Sequence, residues 1–533
     1  MKKLFLYLLS LFIFQNLNSQ MFERFDINPM GDSDPIYLTS YNNVLVFRAN
    51  DGVHNDELWV SDGTQEGTKM IKDIWEGGRG NPVAFTEYND LLYFTAFNPY
   101  HGLWATDATT EGTHLVLSVD SMSDEISSEL FVFKERLYFV LNNFNSHTQY
   151  LYKTDGTANG TELVKKISDS QTYSNHFTIY NDHFYFSGVD SLHGKELWVS
   201  DGSSQGTHLF KDINPIESSY PEKFVVSNNL LFFIAKDTES TNRALWITDG
   251  NPENTRRVRN TQPDDYCRPV YMIDFQNKLF FSGTDNINGR ELWVSDGTEE
   301  GTFMLKNLNS YFTPLPSSDP RFFYIFQDKL YFSAIGKAEN GILVGEEIFV
   351  SDGTEEGTHL FTDLNIFEGS RPSAYYEYNN KLYFKAQINS HHSLWVSDGT
   401  EEGTNTLRPE EAELWDPLDV TYSFVEANGL LFFVAEYDSA GLELWSYADF
   451  TGISNKKENK VLKIYPNPSH DFIKIDLNES FVTGSIYNVS GQLIKSIAHD
   501  NFVNISDFEK GIYFVKVISK NGIYTGKFIK MPE

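Results

Sequence analysis

Cysteine is nearly missing: the 533 residues hold one, Cys267. An intramolecular disulfide is therefore impossible, and no C-x-x-C pair offers a zinc site. Two readings of Cys267 stay open: a small buried apolar residue, or a free thiol exposed in the irregular stretch Asp264 to Arg268. Basic residues are also scarce, 42 Lys and Arg against 74 Asp and Glu, for a net charge of −32. Phosphate backbones are gripped by clustered Lys and Arg, so this balance argues against nucleic acid and suits solubility outside the cell. Long apolar runs are confined to the N-terminus. Leu4 to Phe14, 11 residues behind Lys2 and Lys3, is too short to span a bilayer comfortably. Leu17-Asn18-Ser19 offers a cleavage point, so residues 1–19 are expected to be a signal peptide and Gln20 the new terminus. No Cys follows to carry a lipid, and no later stretch predicts a transmembrane segment in the mature chain. A Gly-rich phosphate loop opening a helix and a G-x-S-x-G elbow are likewise missing.

What the chain has in quantity is one repeated phrase. Glu57-Leu-Trp-Val-Ser-Asp-Gly-Thr64 returns nine times, whole or worn, with its ring at Trp59, Trp104, Tyr152, Trp198, Trp246, Trp293, Phe349, Trp395 and Trp445. The intervals run 45, 48, 46, 48, 47, 56, 46 and 50 residues, a period that signals stacked repeats or a propeller. The 56-residue interval predicts an insertion around Gly336 to Gly345.

One unit predicts four short strands. A spans Ile36 to Tyr41, B Val44 to Ala49, C Glu57 to Ser61 and D Thr68 to Asp73, with an Asn42-Asn43 turn between A and B. Strand B carries a phenylalanine in all nine units (Phe47, Phe94, Phe139, Phe186, Phe233, Phe281, Phe332, Phe384 and Phe433), with Ala or Gly two residues on in eight. Period two puts both on one face, and the small residue is expected to let neighbouring units interdigitate. An aromatic precedes the phenylalanine by six residues in seven units, as at Tyr41 and Phe326. In the C–D turn, Asp stands three residues after the ring in eight units, expected to accept from turn N–H groups. A second Gly closes the turn in seven units and Asn254 in another, so this slot is expected to be left-handed. Ala108 replaces the first Gly once, which makes positive φ less secure there.

The ninth unit stops after Trp445 without turn or strand D, while Phe22 to Asn28 reads like the end of a strand D such as Lys211 to Asn214. The expected fold is therefore all-β: a single closed β-propeller of about nine four-stranded blades over residues 20–450, its last blade completed by the N-terminal strand. Its uniform face carries the A–B and C–D turns. The variable B–C and D–A loops form the other face, where a ligand is expected around the channel mouth. Residues 451–460 read as a polar linker. The charge turns positive over residues 456–533, and residues 461–533 hold seven short alternating strands of a small C-terminal β-sandwich.

The repeats resemble the E-L-W-x-x-D-G-T family of exported bacterial proteins over about 80% of the chain. The tail is similar to the type A C-terminal sorting domain of the type IX secretion system of Bacteroidota. The residues that carry this are Tyr465-Pro-Asn-Pro468, Ile486 to Ile494, Gly511 to Val517 and Gly526 to Lys530. The resemblance implies passage across both membranes by that machinery, removal of the tail, and release or attachment to surface lipopolysaccharide. Asp120-Ser121-Met122, Asp190-Ser191-Leu192 and Asp438-Ser439-Ala440 resemble the short O-glycosylation pattern of the same phylum.

Catalytic chemistry finds little footing. Glu57, Glu196, Glu291, Glu347 and Glu443 precede the ring by two residues, and paired carboxylates can hydrolyse glycosides. A residue repeated around a ring is expected to be part of the ring, since catalysis needs a unique constellation. His54, His101, His147, His193, His391 and His392 fall just before strand C, as a metal-binding rim or as plain polar loop residues; the second is expected. The Asp turns supply one carboxylate each, short of a calcium loop. No catalytic residue, cofactor or metal site is assigned. The expectation is an extracellular or surface-displayed, non-enzymatic binding module for an unknown glycan or protein, with a polysaccharide-active hydrolase or lyase, or a structural matrix component, as alternatives.

Overall fold

The computed structural model describes residues 21–449 and 462–531, apart from 120, 122, 170–175, 239–242, 260–267, 311–316, 339–340, 366–367, 389–390, 408–418, 421–423, 437–440, 477–480, 489–492, 498–500 and 520–521. The expected signal peptide, the linker and Cys267 lie outside the described residues. Chain contacts divide it into two units, one of residues 24–427 with 432–445, the other of residues 446–533 with 1–23 and 428–431.

The larger unit is built of open antiparallel sheets, strands in chain order. In the first, A is Ile36–Tyr41, B Val44–Asn50, C Asp56–Ser61 and D Lys69–Lys72. Among the described residues seven further four-stranded sheets repeat it, and a ninth sheet, some of whose residues are counted with the other unit, takes strands from 419–448 and Met21–Phe25, the latter beside strand C. The first strands of successive sheets lie against one another, as Glu222–Ser227, Val270–Phe275 and Arg321–Phe326 do.

The repeated residues explain the sheets. The strand B phenylalanine stands directly opposite the strand C ring, as Phe47 opposite Trp59 and Phe384 opposite Trp395. The small residue two positions on leaves room for this same pair where it is Gly. A Cβ on Gly188 would stand 2.5 Å from the Trp198 ring, and one on Gly283 2.6 Å from Trp293. The pair also packs into the preceding sheet: Phe94, Ala96 and Trp104 share a core with Val46, Leu58 and Val60, and Phe281 and Trp293 share one with Leu245 and Ile247, so neighbouring sheets interdigitate as expected. Neighbours are joined as well by the strand A tyrosines: the hydroxyls of Tyr41, Tyr88 and Tyr180 donate to Asp90, Glu135 and Asn229, each in the next sheet's A–B turn. Both residues of those turns have positive φ, as Asn42 (48°) and Asn43 (63°), the primed geometry that matches strand twist.

The C–D turn distributes its glycines differently from expectation. Positive φ belongs to the first glycine, +88° at Gly63 and +90° at Gly297. The second is needed for space: a Cβ on Gly67 or Gly301 would stand 1.9 or 2.0 Å from Oδ1 of Asp62 or Asp296. Asn254 joins the turn by donating to Asp249 Oδ2 at 2.7 Å. Ala108 keeps the left-handed conformation, at φ 69°, despite its Cβ. The aspartates do accept turn donors: Thr64 N and Oγ1 lie 2.9 and 2.7 Å from Asp62 Oδ1. The extra residues of the seventh unit are shared between a longer B–C hairpin, Lys329–Lys337 with Leu343–Ser351, and a longer loop before strand A.

In the smaller unit, Lys463–Tyr465, Phe472–Asp476 and Phe502–Asn504 form one sheet. Leu493–Ile497, Phe481–Tyr487, Gly511–Ser519 and Gly522–Lys530 form the other. Ile473, Ile475, Ile486, Val515, Val517 and Phe528 fill a common core.

Candidate functional site

The five repeated glutamates were the sequence's main candidates for acid chemistry. All five are buried. Each reaches from strand C to the loop that leaves strand D. Glu57 accepts from Ile74 N at 2.7 Å and Gly80 N at 2.8 Å. Glu196 accepts from Ile213 N, Ser219 N and Ser219 Oγ at 2.8, 2.8 and 2.6 Å. Glu291 does the same with Leu308 and Ser318, and Glu347 with Leu364 and Ser370. For Glu443 the equivalent donors come from the other end of the chain, Ile27 N at 3.1 Å and Ser33 Oγ at 2.5 Å. Ser33 N also donates to Leu442 O at 3.1 Å, and Leu442 N to Asp32 Oδ1 at 2.8 Å. The segment after Met21–Phe25 therefore does for the ninth sheet what the D–A loop does for the others. Burial pushes all five carboxyls up to about 7 against the pull of these donors. The arrangement clasps loops to strands.

The histidines separate. His54 Nδ1 sits 2.7 Å from Asp51 Oδ2 and His193 Nδ1 3.0 Å from Asp190 Oδ2, each within its own loop, and the carboxylate raises both imidazole pKa values. His101 is buried against Phe97, ring centroids 3.6 Å apart, and desolvation pushes it down to about 4. His147 is exposed and His392 half-buried, while the His391 side chain lies outside the described residues. Among the described residues no group of three or more His, Cys, Asp or Glu could hold a metal ion. Of the three glycosylation-like triplets, Asp190-Ser191-Leu192 alone lies wholly within them, with Ser191 exposed and Asp190 capping its loop.

A cleft of about 440 Å3 opens between the B–C loop of the first sheet and the D–A loop leading to the second, lined by Asn55, Trp75, Gly78, Arg79, Asn81 and Phe97. Its walls are tied together: Asn55 Nδ2 donates to Gly78 O at 2.8 Å, Asn81 N to Asp56 O at 3.0 Å and Phe97 N to Gly80 O at 2.7 Å. Arg79 reaches Asp56 at 3.5 Å. Gly78 leaves room for the indole, since a Cβ there would stand 2.2 Å from the Trp75 ring. The sequence carries a signal for this place that the repeat pattern masks. Where other units write D-I-N, D-L-N or N-L-N, with Asn28, Asn214, Asn309 and Asn365, the first writes D-I-W.

Residues 463–531 match the family model of the secretion system C-terminal sorting domain. Such a tail addresses a protein to the type IX secretion machinery, hence to the cell surface or beyond. No curated protein sequence matches the chain. Among solved structures, a puromycin hydrolase mutant complexed with PGG aligns at 12% identity and TM-score 0.33, over 67% of this chain and 58% of that one. Oligogalacturonate lyase in complex with manganese aligns at 12% identity and TM-score 0.35, over 74% and 95%. The β-propeller domain of the Trilobed protease from Pyrococcus furiosus aligns at 12% identity and TM-score 0.32, over 61% and 98%. The chain thus spans little more than half of the puromycin hydrolase it aligns with, and likenesses this distant say nothing of activity. Among the described residues no helix is long and apolar enough to cross a membrane.

Proposed function

We propose that the chain is a non-enzymatic binding module, a closed nine-bladed propeller of the E-L-W-x-x-D-G-T kind, displayed on or released from the surface of a member of the Bacteroidota. In this reading residues 1–19 are the leader, 20–450 the ring, 451–460 the linker and 461–533 the sorting domain. Closure is supported by the N-terminal segment taking up the donors' places on Glu443 and by Met21–Phe25 lying beside the last strand C. The observation that carries the non-catalytic reading is the fate of the repeated glutamates. In Glu57, Glu196, Glu291 and Glu347 both oxygens are occupied by backbone N–H groups inside the protein, joined in the last three by a serine hydroxyl. The ligand is a glycan or a protein met at the face of the B–C and D–A loops, where the Trp75 cleft opens. A glycan and protein array probed with the purified chain, run beside a reducing-end assay on the same glycans, tests this. Saturable binding without new reducing ends or unsaturated products is expected. Turnover of any bound glycan refutes it in favour of an enzyme, and self-association with no saturable ligand refutes it in favour of a matrix component.

A further inference from the structure

The first strands of the fifth, sixth and seventh sheets, Glu222–Ser227, Val270–Phe275 and Arg321–Phe326, carry an unusual surface. Each is an edge strand of its sheet, and each bulges at its second residue. The pairing skips between Glu222 and Val225, between Val270 and Ile273, and between Arg321 and Tyr324. The bulged residues are Lys223, Tyr271 and Phe322, with φ of 56°, 50° and 58°, and Tyr220 just before has 51°. Bulky side chains are rare in this left-handed region, which favours Gly or Asn. The kink belongs to the fold, since Ala84 and Ala374 take the same position with φ 63° and 55°. The rings do not, and burial does not account for them: Tyr220, Tyr271 and Phe322 are 40%, 46% and 41% exposed.

The exposed groups form a ladder across sheets. Lys223 Nζ stands 5.9 Å from the centre of the Tyr271 ring, and the Tyr271 and Phe322 centroids are 6.2 Å apart. Arg321 lies 5.5 Å over Phe322 while its Nε and Nη2 donate to Glu346, and Arg243 lies 5.6 Å over Tyr220 while paired with Glu222. Strand A begins where the D–A loop ends, so the ladder belongs to the same loop face as the Trp75 cleft.

We propose that this ladder is the binding surface for a neutral glycan chain; the proposal rests on the binding-module reading and assigns its site and ligand class. Exposed rings in series offer flat apolar faces to the C–H faces of successive sugars. The guanidinium–carboxylate pairs beside them are planar and already neutralised, so Lys223 is the ladder's one cation outside such a pair, little positive charge with which to select a polyanion. The acidic body opposes a polyanion further. A protein partner fits less well, because protein hot spots are rings sealed from water by their neighbours, whereas these stand partly in solvent beside charged groups.

Affinity electrophoresis of the full chain in gels holding laminarin, xyloglucan or galactomannan, with polygalacturonate and alginate as acidic counterparts, tests the proposal. At least one neutral polysaccharide should retard the wild type, and the Tyr271→Asn/Phe322→Asn double variant should lose affinity at least tenfold. Asn accepts positive φ, so the variant should melt no lower than the wild type, which separates lost contacts from lost folding. Retardation by acidic polysaccharides alone, or by none of the neutral ones, overturns the proposal. Retardation of the double variant equal to wild type overturns this site while leaving the binding-module reading standing. In that case loss of retardation in Trp75→Ala would move the site to the cleft.

Discussion

Replacing Glu291 by Gln changes one titrating clasp into a neutral one, and its effect should reverse in size with pH. Glu291 is fully buried, and burial raises its carboxyl from 4.5 to about 7. Because the folded value lies above the unfolded one, the folded state holds the proton more tightly. The stability so gained is fully present below about 4.5, is lost as pH rises toward 7, and stays lost above it. At 1.36 kcal/mol per unit, the ionised form carries a cost of roughly 3 kcal/mol at pH 8. Gln escapes that cost but turns an amide N–H₂ toward one of three donors, Leu308 N, Ser318 N or Ser318 Oγ. One unmet hydrogen bond costs about 1–3 kcal/mol at any pH. The variant should therefore be clearly less stable than wild type at pH 4.5 and close to it, or slightly more stable, at pH 8. Comparing the two proteins at each pH removes the opposite contribution of His101, whose depressed pKa costs stability as pH falls below about 6.5. Denaturant unfolding of both at pH 4.5, 6 and 8 measures the difference. A wild-type-minus-variant gap that is constant across that range would refute the account of these glutamates as partly protonated clasps.

Three further substitutions test the turn and the chain ends. Gly301→Ala should destabilise by about 1–3 kcal/mol, since its Cβ would stand 2.0 Å from Asp296 Oδ1, read as a lower denaturation midpoint. Ala108→Gly should stabilise by roughly 0.5–1 kcal/mol, because φ 69° penalises the Ala Cβ and Gly removes that penalty; a fall in melting temperature would contradict it. Ser33→Ala removes the buried hydroxyl that donates to Glu443 Oε2 at 2.5 Å and should cost about 1–3 kcal/mol. Amide exchange should then quicken first in residues 24–33 and 442–445, and uniform exchange elsewhere with no change there would count against the N-terminal segment as part of the last sheet.

How much of this was legible in the sequence depends on whether one residue's identity settles its role. Phe47 and Trp59 could be paired from spacing alone, because a ring in strand B and a ring in strand C at constant separation must meet across the hairpin. The turn glycines could not be sorted that way. Glycine answers both a demand for positive φ and a demand for no Cβ, and the sequence shows only that it is there. The structure splits the demands, φ at Gly63 and space at Gly67. Ala108 then shows that the φ demand can be met by a residue that carries a methyl group, while in the described turns the space demand is met by Gly or, at Asn254, by a side chain that itself binds the aspartate. The same limit hid the strand A rings. Alternation predicts which residues share a face only while register holds, and a bulge at the second residue shifts it. Tyr271 and Phe322 therefore read as two more aromatics in an aromatic-rich chain until the backbone turns them outward. The residues that fix a repeat are legible because they recur. Trp75, which departs from the repeat at one position, would be legible by the opposite rule, so in such a chain the departures are where a ligand should be sought.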